Sequence, residues 1–73
     1  MITANLAPPV LRVAAEEPQL LAVRLEAAER QAQEWAMREG RYGILVTRHT
    51  PTSYTVEPNE EVPYGITLER DFI

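Results

Sequence analysis

The sequence predicts a single α+β domain: one long amphipathic helix packed on a three-stranded antiparallel β-meander, preceded by a short N-terminal helix or arm. Three observations carry this. Apolar positions recur at helical spacing through residues 19–39. From residue 41 the pattern changes to alternation, interrupted by two turn-rich segments. The 73 residues suffice for one domain and leave no room for a second.

Taken in order, residues 1–8 read as an extended arm, because Pro8-Pro9 favours an extended backbone. Pro9 can open a helix at its first position, and residues 9–17 then form a short helix. A strand through Val10–Val13 competes with this. Ala14 to Glu17 favour the helix, being better helix formers than strand formers. Pro18 interrupts, since it lacks an N–H and biases Glu17 away from helical angles. It either starts a new helix in its first turn or kinks a longer one.

The main helix, 18–39, presents Leu21, Leu25, Ala28, Ala32 and Trp35 at spacings of four and three, with Ala36 beside them. That is the stripe of a helix lying on a core, and its three alanines permit close approach. Glu26–Arg30 and Glu34–Arg38 are i, i+4 pairs in the favourable order, worth ~0.3–0.5 kcal/mol each on a solvated face. Gly40 is placed to stop the helix in the left-handed conformation.

Residues 41–71 read as the meander. Tyr42, Ile44 and Val46 alternate with Gly43, Leu45 and Thr47 in a first strand. His49-Thr50-Pro51-Thr52-Ser53 supplies a turn. Tyr54-Thr55-Val56-Glu57 forms a second strand, with Tyr54 and Val56 inward. After the turn Pro58-Asn59-Glu60-Glu61, Val62 to Leu68 forms a third, with Val62, Tyr64, Ile66 and Leu68 inward. Pro63 places its start at an edge or in an irregular lead-in. Phe72-Ile73 docks or frays. Trp35, Tyr54, Tyr64 and Leu25 are expected at the centre of the core.

Composition narrows the function classes. So small a chain buries only ~60–65% of its unfolded surface, so its stability margin is narrow. It has no cysteine for disulfides and a single histidine, His49, so neither a disulfide nor a zinc site is expected to reinforce it. Good helix packing or self-association is the remaining compensation, with a two-fold homodimer as the default if the chain associates. Neither a secretory signal nor an apolar run of spanning length occurs, which predicts a soluble, cytoplasmic protein. The net charge of −4 and pI near 4.8 argue against nucleic acid as a partner. All seven basic residues are Arg, and ten of the eleven acids are Glu. With nine alanines, this is the alphabet of a high-GC genome.

Several groups are candidates for chemistry. His49 is the one side chain whose ordinary pKa lies near neutrality, and Ser53 and several threonines stand close in sequence. Turn-forming residues explain the same letters, and no catalytic signature is present. Glu57, Asn59, Glu60 and Glu61 do not have the EF-hand spacing and read as a solvated acidic turn. Gly40-Arg41-Tyr42-Gly43 is neither a P-loop nor a dinucleotide fingerprint. Arg41, Arg48 and Arg70 with Tyr42, Tyr54 and Tyr64 would make a stacking platform for single strands if they shared one face. The tyrosines have the phase of core residues, however, and the nearby glutamates oppose a phosphate backbone. On the outer side of the helix, Val23 and Met37 lie along one line with Arg30 between them and Leu20 and Ala27 beside them. These five residues are the candidate partner surface. Scattered surface apolars are the plainer account of them.

Gly43-Ile44-Leu45-Val46-Thr47-Arg48-His49, then Tyr54-Thr55-Val56, then Val62-Pro63-Tyr64-Gly65-Ile66-Thr67-Leu68-Glu69 resembles small proteins of actinobacteria and their phages. The similarity spans roughly residues 36–71. It implies a phage or prophage accessory protein and transfers no functional residue. The expected function is therefore a non-enzymatic protein without cofactor or metal, which binds a protein partner or assembles with itself. Nucleic-acid binding by the Arg/Tyr residues is the alternative, and a minimal enzyme using His49 stands behind it.

Overall fold

The structure is a computed structural model that describes residues 8–71. The expected arm over residues 1–7 and the terminal Phe72-Ile73 lie outside the described residues. The order of elements is β1 (Leu11–Ala14), α1 (Pro18–Glu39), β2 (Gly43–Thr50), β3 (Ser53–Asn59) and β4 (Thr67–Asp71). They form an α+β fold with one helix and one four-stranded mixed sheet in the order β1-β3-β2-β4.

The helix has the predicted limits. Pro18 occupies its first turn, Glu17 stays extended at φ −87° and ψ 125°, and Gly40 ends it at φ 72° with its N–H donated to the Ala36 carbonyl. Gly40 is the left-handed cap that a side chain would strain. Ala28, Ala32 and Ala36 are buried, while Leu21 and Leu25 pack around them half-buried. Facing them from the sheet are Val13, Ile44, Val46 and Val56. The core is thin: the largest fully buried side chains are Val46 and Val56.

The predicted short helix over 9–17 is a correction. The segment forms β1, which pairs antiparallel with β3 from Leu11 opposite Val56 to Ala14 opposite Ser53. The physical reason is non-local. A helix cut off by Pro18 after two turns is too short to be stable by itself. As a strand, the same residues gain ladder bonds from β3 and bury Val13 at 5% exposure.

That correction forces the next one, because the sheet is not a three-stranded meander. With β1 on one side of β3 and β2 on the other, no slot beside β3 remains for the last strand. The chain instead passes the start of β2 and adds β4 to its far edge, parallel to it, from Ile44 opposite Thr67 to Arg48 opposite Asp71. The crossing uses residues 60–66, turned by Val62 N–H to the Asn59 carbonyl at 3.0 Å and by Ile66 N–H to the Pro63 carbonyl at 3.0 Å. The third strand therefore runs over 67–71 and not 62–68. Of its four expected inward residues only Val62 is buried; Tyr64, Ile66 and Leu68 are exposed at 53%, 44% and 48%. Tyr64 is thus not a core residue. Trp35 is half-buried and stacks at a tilt on Tyr42, with ring centroids 5.3 Å apart.

Candidate functional site

Helix α1 packs on β1, β3 and β2 and does not reach β4. One sheet face is therefore covered over three strands, and the other carries no helix. The two uncovered regions differ in chemistry.

The helix-free face is mixed, with one polar row and a second row that contains Leu45 and the exposed Leu68. The registers align Arg12, Thr55, Thr47 and Arg70 as one row across the four strands, with Glu57, Leu45 and Leu68 in the next. His49 joins them at an irregularity between Arg48 and Thr50, its Nε2 2.9 Å from Thr55 Oγ1. That places the histidine within hydrogen-bond reach of a threonine hydroxyl. Thr47 is buried at 3%, and no buried side-chain polar atom among the described residues lacks a partner. The buried polar atoms of this row are therefore satisfied as those of folded proteins normally are.

The β4 side is apolar at one end. A groove of about 400 Å³ lies between the C-terminal half of α1 and the crossing segment, lined by Ala36, Met37, Tyr42, Tyr64 and Ile66 among others. Its far end is acidic. There the Glu29 carboxyl is held above its ordinary value by partial burial first, then by Glu69 across the gap and by Glu26 on its own helix. A carboxyl raised in the folded state binds more protons there than in the unfolded chain. Its favourable contribution is therefore complete below the ordinary value of 4.5 and is lost as pH rises through the folded value. Glu29→Gln is accordingly expected to raise stability at neutral pH by a few tenths of a kcal/mol, the scale of exposed like-charge pairs. The gain should vanish in mildly acidic buffer, and thermal unfolding at the two pH values measures it.

One ion pair anchors β4 from the helix side. Arg48 Nε donates to Asp71 Oδ1 at 3.0 Å and its Nη2 to Oδ2 at 3.1 Å, two parallel bonds that fix the guanidinium plane.

The five candidate residues on the outer helix face are divided by the fold. Leu20, Val23 and Met37 are exposed at 41%, 64% and 68%, and Arg30 pairs with Glu26 at 3.9 Å. Ala27 instead borders a shallow groove beside β1, and Met37 belongs to the β4 groove. Tyr64, Ile66 and Leu68 were missed as surface residues because alternation marks a strand without saying whether anything covers it.

The other sequence candidates fall apart as sites. Tyr54 and Arg48 are opposed in the register on the helix side, Arg41 lies over the Tyr42 ring at 5.1 Å, Tyr64 is in the crossing segment and Arg70 is on the helix-free face. Arg48, Tyr54 and Arg70 line one small groove with Glu69 and Asp71, and Tyr42 and Tyr64 line another, so the six do not form one platform. In the acidic turn, Asn59 Oδ1 accepts from Glu61 N–H at 2.8 Å and Asn59 Nδ2 donates to Glu57 at 3.3 Å, so Asn59 shapes the turn. Among the described residues no group of three or more His, Cys, Asp or Glu side chains is placed to hold a metal. No helix there is long and apolar enough to cross a membrane.

No protein-family model matches this chain, and no curated protein or solved structure is significantly similar to it.

Proposed function

We propose that this chain is a small, cytoplasmic, non-enzymatic accessory protein, phage- or prophage-encoded, that acts by protein association through β4 and the groove beside it. The observation that carries the reading is the reach of the helix: α1 packs on three strands and not on the fourth, which stands at the edge of the sheet among the described residues. Seven large apolar side chains are exposed among the described residues, against six buried ones larger than alanine. Three of the seven, Tyr64, Ile66 and Leu68, sit on β4 or its lead-in; Met37 lines one groove with Tyr64 and Ile66, while Leu68 lies beside Leu45 on the helix-free face. Apolar side chains clustered beside an unpaired edge are the usual mark of an association surface. The phage origin rests on the resemblance and on the high-GC alphabet.

The test is affinity capture from a nuclease-treated, high-GC actinobacterial lysate to which untagged copies of the chain have been added. Wild type is compared with Ile66→Glu/Leu68→Glu on the β4 side and with Leu20→Glu/Val23→Glu on the helix. The expected result is a stoichiometric protein, foreign or a second copy, that is lost only from the β4-side variant while both variants keep their circular dichroism. Loss from the helix variant with retention by the β4-side variant would overturn the reading.

A further inference from the structure

Granting that the β4 side is the association surface, we propose that its occupant is a second copy of this chain. The two copies join their β4 strands antiparallel about a two-fold axis through Leu68, so that two four-stranded sheets become one of eight.

The argument begins with the two edges of the sheet. β1 is four residues long, has the helix against one face, and its Ala14 carbonyl is occupied by Arg24 Nη1 at 2.7 Å. Among the described residues β4, one residue longer, has no helix packed on it and no strand beyond it. It contains no proline, its pairing with β2 runs without a bulge, and all five of its residues are exposed. Edge strands are normally protected by cover, bulges, proline, shortness or charged side chains, and of these β4 has only its five-residue length and its three charges. The β4 sequence, Thr67-Leu68-Glu69-Arg70-Asp71, alternates in sign, which is a self-complementary pattern.

Charge then selects the register. Directly opposed residues in an antiparallel pair lie on the same face, so a two-fold axis normal to the sheet passes through one residue position of each copy. An axis at Glu69 sets Glu69 against Glu69 of the second copy, and one at Arg70 sets Arg70 against its own counterpart. Like charges directly opposed disfavour both. An axis at Leu68 pairs the two leucines, sets Thr67 against Glu69 of the second copy, and opposes no like charges. Ile66 then meets Arg70 of the second copy, whose methylene stem can cover it. The Glu29–Glu69 gap stays open on the helix side and is not crossed by a second acid. A five-residue edge with a few apolar neighbours falls short of the ~800 Å² per partner of a standard interface. The expected dimer is therefore reversible and micromolar.

The chain has no cysteine, so single introduced thiols report the register. Opposed residues bring Cα atoms to within disulfide range. Leu68→Cys, Glu69→Cys and Arg70→Cys are compared under mild oxidation, alongside sedimentation equilibrium of wild type and Leu68→Lys from low micromolar to near-millimolar concentration. The expected results are a reversible monomer–dimer equilibrium for wild type, a folded monomer for Leu68→Lys, and cross-linking several-fold faster for Leu68→Cys than for the other two. A monomeric wild type throughout that range, or equal cross-linking at the three positions, overturns the proposal. A monomeric wild type whose β4-side variant still loses a foreign partner would overturn only the second copy as occupant and leave the association surface standing.

Discussion

Gly43→Ala is expected to destabilise the fold by about 3 kcal/mol, near the upper end of what overpacking costs. The requirement at this position is space and not backbone conformation, since Gly43 is not among the glycines with positive φ. An added Cβ would meet the Pro63 carbonyl oxygen, the Val62 side chain and, at 2.7 Å, the Val62 carbonyl oxygen. Two of these three are backbone, so no rotamer change relieves the clash. The approach is close because the chain crosses the start of β2 here on its way from β3 to β4. Gly43 N–H donates to the Val62 carbonyl at 2.8 Å, and Ile44 N–H to that of Ile66 at 2.9 Å. Pushing the crossing away strains both bonds and the β4 pairing beyond them. A domain of this length has a margin of only roughly 4–11 kcal/mol, so the change should consume a large part of it. Urea unfolding measures the loss. At Gly40, where a Cβ meets nothing within 4 Å, Gly→Ala should cost only the left-handed penalty of about 1–2 kcal/mol.

Ala32→Leu is expected to cost about 2–3 kcal/mol, again by overpacking. Ala32 is completely buried between Ala28 and Ala36 on the stripe that rests on Val46 and Val56. The close helix–sheet approach depends on methyl groups along that line. Three additional carbons would lift α1 from β3, with which it makes its most extensive contact. Ala22→Leu, on the exposed side of the same helix, adds the same atoms and should change stability by less than ~0.5 kcal/mol. Paired urea titrations of the two variants separate packing from any effect of leucine itself. Equal midpoints would contradict the packing scheme.

What the sequence revealed and what it hid divide along one line. The limits of α1 were legible because Pro18 and Gly40 act through local backbone chemistry. The strands β2 and β3 were legible as alternation, although each extends beyond the predicted span into neighbouring turn residues. Pro58 illustrates why: it is read as a turn residue, yet it lies in β3 opposite Ile44. β1 begins at Leu11 opposite Val56 and runs away from Pro58, so a missing N–H at Pro58 breaks no bond to that strand. β1 and β4 were not legible because their states are set by pairing with distant segments. Val10 to Ala14 has no decisive local preference until β3 offers an edge. The parallel course of β4 follows only once β1 has taken that edge. The candidate surface shows the same division. Leu20, Val23 and Met37 could be placed outside by helical phase, whereas Tyr64, Ile66 and Leu68 alternate as core residues do. Tyr64 and Ile66 are exposed where α1 stops short, and Leu68 on the face that carries no helix, facts about layers that periodicity does not contain.

The most direct test of β4 as the association edge is residue-resolved amide hydrogen exchange at low and high protein concentration. Amides of residues 67–71 that do not bond to β2 should become protected as concentration rises, while exchange at β1 and along the outer face of α1 stays constant. Protection that is independent of concentration at β4, or that rises around Leu20, Val23 and Arg30 instead, would contradict the account.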